Sequence, residues 1–190
     1  MTSERARRIR TRMRWLRFWK PSIFGAEVHR FVLHPALPES ELAAFERLHG
    51  IELPPEYRWF IGNVANGGAG PYYGLFPLGV NDMGGGPSQR WSEHDGHVGR
   101  LATPFPFTEP WKAPSDIDAD WLEIDGAMPI CDMGCAFQIW LVITGPERGT
   151  IWEDFRADGT GLMPATRMDG GRYPFLDWYE WNLFGRSLCA

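Results

Sequence analysis

Three cysteines in 190 residues are too few, and an odd number, for a disulfide framework, so a reducing cytoplasm is the expected compartment. No uninterrupted apolar run approaches the ~20 residues that a membrane-spanning helix requires. The twin arginines Arg7-Arg8 are followed by no hydrophobic stretch, which argues against an export signal. There is no internal repeat, and no linker splits the body. Regular periodicity is missing from 81 to 118, where Gly, Pro, Ser and His accumulate. So long an irregular stretch is unusual in a compact domain and often binds something. What is abundant points the other way: 44% hydrophobic and 23% charged residues exclude a disordered or collagen-like chain. With 22 Gly, 16 Pro and ten Trp, the composition suits short strands, turns and aromatic packing better than a long helical bundle. A folded chain of this length buries about 70% of its extended surface, so its core needs neither disulfide nor metal.

The net charge of −5 joins two unlike parts. Residues 1–20 carry eight basic side chains against Glu4, a balance of +7, which leaves −12 on the remainder. A basic tail (1–20) and an acidic domain (21–190) are expected. Such a body repels nucleic acid and steers towards basic partners. In the tail, Ile9, Met13, Leu16 and Trp19 or Lys20 fall at spacings of three and four, the pattern of an amphipathic helix. That helix could adsorb to a membrane surface, touch nucleic acid, or simply dock Trp15 and Phe18 on the body.

Pro38-Glu39-Ser40-Glu41 is a helix start, Leu42, Phe45 and Leu48 its apolar positions, and Gly50 its stop. Pro54-Pro55-Glu56 begins a second helix, with Tyr57, Phe60, Ile61 and Val64 inward. The short link between them predicts a packed corner. Residues 71–79 read as an edge segment, broken by Gly74 and Pro77. Strands are expected at 127–131, 136–144 and 149–155. Gly145 to Gly149 forms a hairpin loop, which makes the last two strands antiparallel. A helix over 174–184 closes the chain, burying Phe175, Trp178, Tyr179 and Leu183.

Several groupings suggest chemistry. His94, His97, Cys131 and Cys135 could form a tetrahedral zinc site, or supply a nucleophile and base for a hydrolase. His-x2-His is short for zinc, however, and no nucleophile motif surrounds either cysteine. Glu123/Asp125 and Glu153/Asp154 are carboxylate pairs of a kind that abundance alone supplies in an acidic chain. The glycines at 67–70 and 84–86 lack the Gly-Lys-Ser/Thr of a phosphate loop and read as turns.

Three stretches together resemble the SMI1/KNR4 family, also called the SUKH superfamily. The first is Phe45-Glu46, Leu53-Pro54, Tyr57-Arg58, Phe60-Ile61 and Asn66-Gly67-Gly68. The second is Asp132-Met133-Gly134-Cys135-Ala136 with Gly145-Pro146-Glu147-Arg148-Gly149-Thr150-Ile151-Trp152-Glu153-Asp154. The third is Phe175-Leu176-Asp177-Trp178-Tyr179-Glu180-Trp181. Ala136 stands where the family's pattern has glycine. The basic tail and residues 81–118 match nothing in that pattern. The resemblance implies a single α+β domain, a mostly antiparallel sheet with helices around it. It further implies a non-enzymatic, cofactor-free role. Bacterial relatives are commonly immunity proteins that bind and silence a cognate polymorphic or contact-dependent toxin, and fungal relatives act in cell-wall regulation.

Many such toxins are nucleases, whose grooves must be positive to hold phosphate. An acidic plug fits such a groove. The partner-binding candidates are Trp111, Asp116, Asp118, Asp120, Trp121, Glu123 and Asp125, aromatic anchors flanked by charge. A second group is Trp152, Glu153 and Asp154 at the hairpin's end, for which the competing reading is a core Trp beside strand-end carboxylates. The alternative functions are a regulatory scaffold, attached to membrane through the tail, and the zinc-dependent hydrolase.

Overall fold

Hydrophobic runs too continuous to alternate lie at the centre of the molecule, because the sheet they build is covered on both faces. The computed structural model describes residues 1–19, 22–81, 89–90, 98–114 and 122–185. In chain order its elements are helices α1 (Ser3–Trp19), α2 (Ala26–His29), α3 (Glu39–His49) and α4 (Pro55–Asn63), then strands β1 (Val80–Asn81), β2 (Gln89–Arg90), β3 (Ala127–Gly134), β4 (Phe137–Val142) and β5 (Ile151–Phe155). A 3-10 turn (Arg156–Asp158), strand β6 (Gly161–Pro164), helix α5 (Phe175–Glu180) and a π-helical turn (Trp181–Gly185) complete it. β3 to β6 form a four-stranded antiparallel meander in sequence order, and β1 pairs with β2 in a separate two-stranded ribbon. This is an α+β domain.

Both edges of the meander are occupied, which removes the free ladder on which a foreign strand could grow. Along β3, Leu75 bridges Cys131 and the Phe76 amide donates to the Ile130 carbonyl at 2.9 Å. Along β6, Trp111 and Leu162 exchange backbone hydrogen bonds of 2.9 and 2.7 Å. The expected edge segment within 71–79 thus lies on β3.

One face of the sheet meets the helices. Phe60 sits 5.2 Å from Phe175 and 4.7 Å from Tyr179, ring centre to ring centre, and Tyr57 packs edge-on to Phe175. The Tyr179 hydroxyl donates to the Ala69 carbonyl at 2.8 Å, so the deepest phenol is satisfied. α1 adds Ala6, Ile9, Met13 and Leu16 to this core. The opposite face carries a smaller core of Phe105, Ile124, Ala127, Trp140, Val142, Trp152 and Leu162. It is roofed by the irregular chain around Phe107 and Trp111.

Two expectations need correction here. Trp15 and Phe18 do not dock on the body: they are 61% and 78% exposed, and the aliphatic stripe docks instead. Leu48 is 79% exposed, although Leu42 on the same helix is buried. Three-residue steps turn the helix by about 300°, so two of them carry Leu48 some 120° away from Leu42.

Candidate partner-binding surfaces

The polar residues of the first signature hold the fold together. Glu46, at the end of α3, accepts the Leu53 amide at 3.0 Å and the Arg58 Nε at 2.9 Å. Arg58 reaches back to Glu39 as well. One arginine on α4 thereby clamps both ends of α3, producing the packed corner. Partial burial pushes the Glu46 carboxyl up, but Arg58 and the Leu53 amide outweigh it and hold it below the ordinary carboxylate range. The Asn66 side chain accepts the Leu78 amide at 2.8 Å. Arg148, in the hairpin loop, donates to the carbonyls of Glu52 and Leu53 at 3.1 and 3.0 Å.

The second signature includes the β3–β4 turn. Gly134 pairs with Phe137, leaving Cys135 and Ala136 as a two-residue loop with φ of 55° and 65°. Both are left-handed, as a type I′ hairpin requires, and a side chain there costs about 1 kcal/mol. Ala136→Gly removes that cost, less some unfolded-chain entropy. We expect the variant to be more stable by about 0.5 kcal/mol, read as a higher urea midpoint at unchanged slope. A lower midpoint would contradict it.

The structure separates the partner-binding candidates. Asp116, Asp118, Asp120 and Trp121 lie outside the described residues. Glu123 is exposed. Trp111 is half-buried, its ring tilted against Phe107 at 5.0 Å between centres. Asp125 is half-buried and its carboxylate accepts the Arg100 amide at 2.7 Å, a tie between two loops. At the hairpin, Glu153 is half-buried, but Trp152 and Asp154 are corrected to interior positions. Trp152 is 1% exposed and faces Trp140 across the ladder, with Phe105 on its ring. Asp154, 5% exposed, grips the Arg156 guanidinium at 2.7–3.0 Å, and Arg156 also donates to the Leu122 carbonyl at 2.7 Å. Neither side chain is offered to a partner. Trp152 thus takes the core reading, while the burial of Asp154 was hard to read because a two-sided sheet erases the alternation that marks an outer face.

The cysteine pair also comes apart. Cys131 is buried in the main core, its thiol 3.2 Å from the Pro71 carbonyl, and burial pushes its pKa well up. A thiol held protonated and enclosed is a poor nucleophile and a poor metal ligand. Cys135 is exposed at the turn. No group of three or more His, Cys, Asp or Glu that could hold a metal occurs among the described residues. His94 and His97 lie outside them.

Two surface features have the composition of contact sites. A groove of about 550 Å³ runs between α1 and the C-terminal helices, lined by Arg12, Arg167, Met168, Tyr173, Trp181 and Phe184 together with the carboxylates of Asp169, Asp177 and Glu180. Arg12 stacks over the Phe184 ring at 4.4 Å, while Met168 and Trp181 are 97% and 42% exposed. Trp, Met and Arg are enriched at protein interfaces. Sequence reasoning missed this groove, because its walls come from opposite ends of the chain. The second feature is the outward face of α1, where Trp15, Phe18 and Trp19 stand in solvent among arginines.

An antiparallel meander backed by helices, with the α3–α4 corner clamped by Glu46 and Arg58, defines an α+β domain whose signature residues serve its architecture. The chain belongs to the SMI1/KNR4 family (SUKH-1), whose model matches residues 36–164. The match runs from α3 through β6 and leaves α1 and α5 outside it. No curated protein and no solved structure matches the chain.

Proposed function

We propose that this chain is an immunity protein: it binds a cognate toxin and silences it by occupying the active site or an adjoining surface, without turnover. Membership of the SMI1/KNR4 family carries this reading, since that family is generally of the non-catalytic, immunity type. The charge balance supports it. With −12 on residues 21–190, the body would be drawn to a basic catalytic groove such as a nuclease presents. The contact is assigned to the acidic and aromatic stretch 111–125. Glu123 supplies exposed charge and Trp111 an aromatic anchor there, with Asp116, Asp118, Asp120 and Trp121 between them. The mechanism is occlusion: a carboxylate-rich surface takes the place of the phosphate backbone and excludes the true substrate.

Co-expression tests this. Cells producing a toxin encoded alongside this chain should grow when the chain is present and die when it is absent. Neutralising Asp116, Asp118, Asp120 and Glu123 together, to Asn and Gln, should slow association about tenfold at low salt, because removal of rim charge acts mainly on the on-rate. Equal killing with and without the chain would refute immunity for that pair.

A further inference from the structure

We propose that α1 binds the surface of an anionic membrane through the face it turns away from the protein. The helix is amphipathic twice over. Its first stripe, Ala6, Ile9, Met13 and Leu16, is spent on the core. Opposite it, Arg7, Thr11, Arg14, Trp15 and Phe18 follow one another at steps of four, three, one and three residues, which places them along a second stripe. All five are exposed.

The second stripe has two properties that belong together only at a charged interface. Its C-terminal end is an aromatic cluster: Trp15 and Trp19 lie 5.3 Å apart and Phe18 and Trp19 5.7 Å apart, ring centre to ring centre. These rings are 61%, 61% and 78% exposed for Trp15, Trp19 and Phe18, so the cluster stands largely in solvent. The rest is cationic. Arg5 and Arg8 engage Glu180, and Arg5 also Asp177, which are the carboxylates facing α1 from α5. Arg7 and Arg14, both on this stripe, are exposed and have no ion pair among the described residues. A shallow depression bounded by Glu4, Arg7, Arg8, Thr11, Arg12 and Trp15 sets three arginines against one carboxylate, a net positive seat for a phosphate headgroup beside the ring that would enter the interface.

Charge complementarity restricts the partner to a polyanion, and shape selects among polyanions. Rings joined in one convex wedge at a helix end suit the headgroup–acyl boundary, where tryptophan concentrates. A single-stranded nucleic acid instead needs a groove with separate stacking platforms for successive bases. Each basic residue at an anionic surface strengthens binding roughly fivefold. The two unpaired arginines of the stripe therefore contribute about 25-fold, and the aromatic wedge adds an apolar component that salt does not screen. This inference is independent of toxin binding.

Sedimentation with vesicles tests it on the full chain. Wild type should bind vesicles of phosphatidylcholine with 30% phosphatidylserine at least tenfold more tightly than pure phosphatidylcholine, with the difference shrinking in 0.5 M salt. Arg7→Gln/Arg14→Gln should weaken the anionic binding about 25-fold. Trp15→Ser/Phe18→Ser/Trp19→Ser should remove the salt-resistant part. Since all five side chains lie outside the core, both variants should keep the wild-type circular dichroism. The wild-type comparison of the two lipid compositions stands alone if either variant misfolds. Equal binding to the two lipids, binding that survives both variants, or binding to duplex or single-stranded DNA with none to vesicles would each overturn the proposal.

Discussion

Asp154→Ala should destabilise the protein by about 3–5 kcal/mol, the cost of breaking a buried ion pair by removing one partner. Asp154 and Arg156 expose only 7% and 4% of their side chains. The carboxylate accepts three guanidinium bonds of 2.7–3.0 Å and the Arg156 amide at 3.0 Å. Without it the guanidinium keeps its bond to Leu122 but loses the carboxylate that holds it at 2.7–3.0 Å. A domain of this size is stable by about 5–15 kcal/mol in total, so the loss is a large fraction of the whole. Asp154→Asn should cost less, because the amide oxygen still accepts one of those bonds. Glu123→Ala, at an exposed position, should stay within about 0.5 kcal/mol of wild type. Urea unfolding of the three variants checks this ordering. A neutral Asp154→Ala would restore Asp154 to the surface and to the list of partner contacts.

Gly68→Ala should cost about 3 kcal/mol or more, strain and overlap together. At φ of 86°, Gly68 is in left-handed backbone, and an added Cβ would lie 2.5 Å from the Val32 carbonyl oxygen. Its amide and carbonyl bond Leu75 at 2.9 and 2.8 Å, in the segment that covers the β3 edge. Moving the glycine therefore loosens that cover. Gly50→Ala is the control: φ is 64° there, but nothing lies within 4 Å of the new carbon. It should show the left-handed cost alone, about 1 kcal/mol. Equal losses for the two variants would mean that the overlap at Gly68 relaxes without consequence.

The two glycines also show why parts of the fold were legible in the sequence. Gly50 stops α3 and Pro54-Pro55 starts α4 by local backbone rules, so the helices and their corner follow from neighbours in the chain. The strands β3 to β5 follow from apolar runs and a glycine-bounded loop in the same way. β6 does not. Gly161-Leu162-Met163-Pro164 has no period, and it becomes a strand because Phe155 and Trp111 present backbone on either side of it. The second core was equally hidden, since Phe105, Phe107 and Trp111 lie in irregular chain and meet Trp152 only through the fold. In α1 the buried stripe was readable from its spacing. Which way the aromatics turned was not, because Trp15 and Phe18 fall on the opposite side of the same helix.

The candidate site was less legible for a related reason. The signature residues Glu46, Arg58, Asn66, Arg148, Trp152 and Asp154 are bound into the structure. Their order identified the family because it is the order a particular packing demands. A partner surface demands no such order, since exposed charges can move along a loop without disturbing the core.

Titration of a purified cognate toxin against this chain tests the central claim most directly. Occlusion predicts that toxin activity falls linearly and reaches zero at a fixed stoichiometry of the two proteins, returning when the complex is separated. Permanent loss of activity at a small fraction of that ratio, each molecule of this chain disabling many of toxin, would make it a catalyst and contradict occlusion.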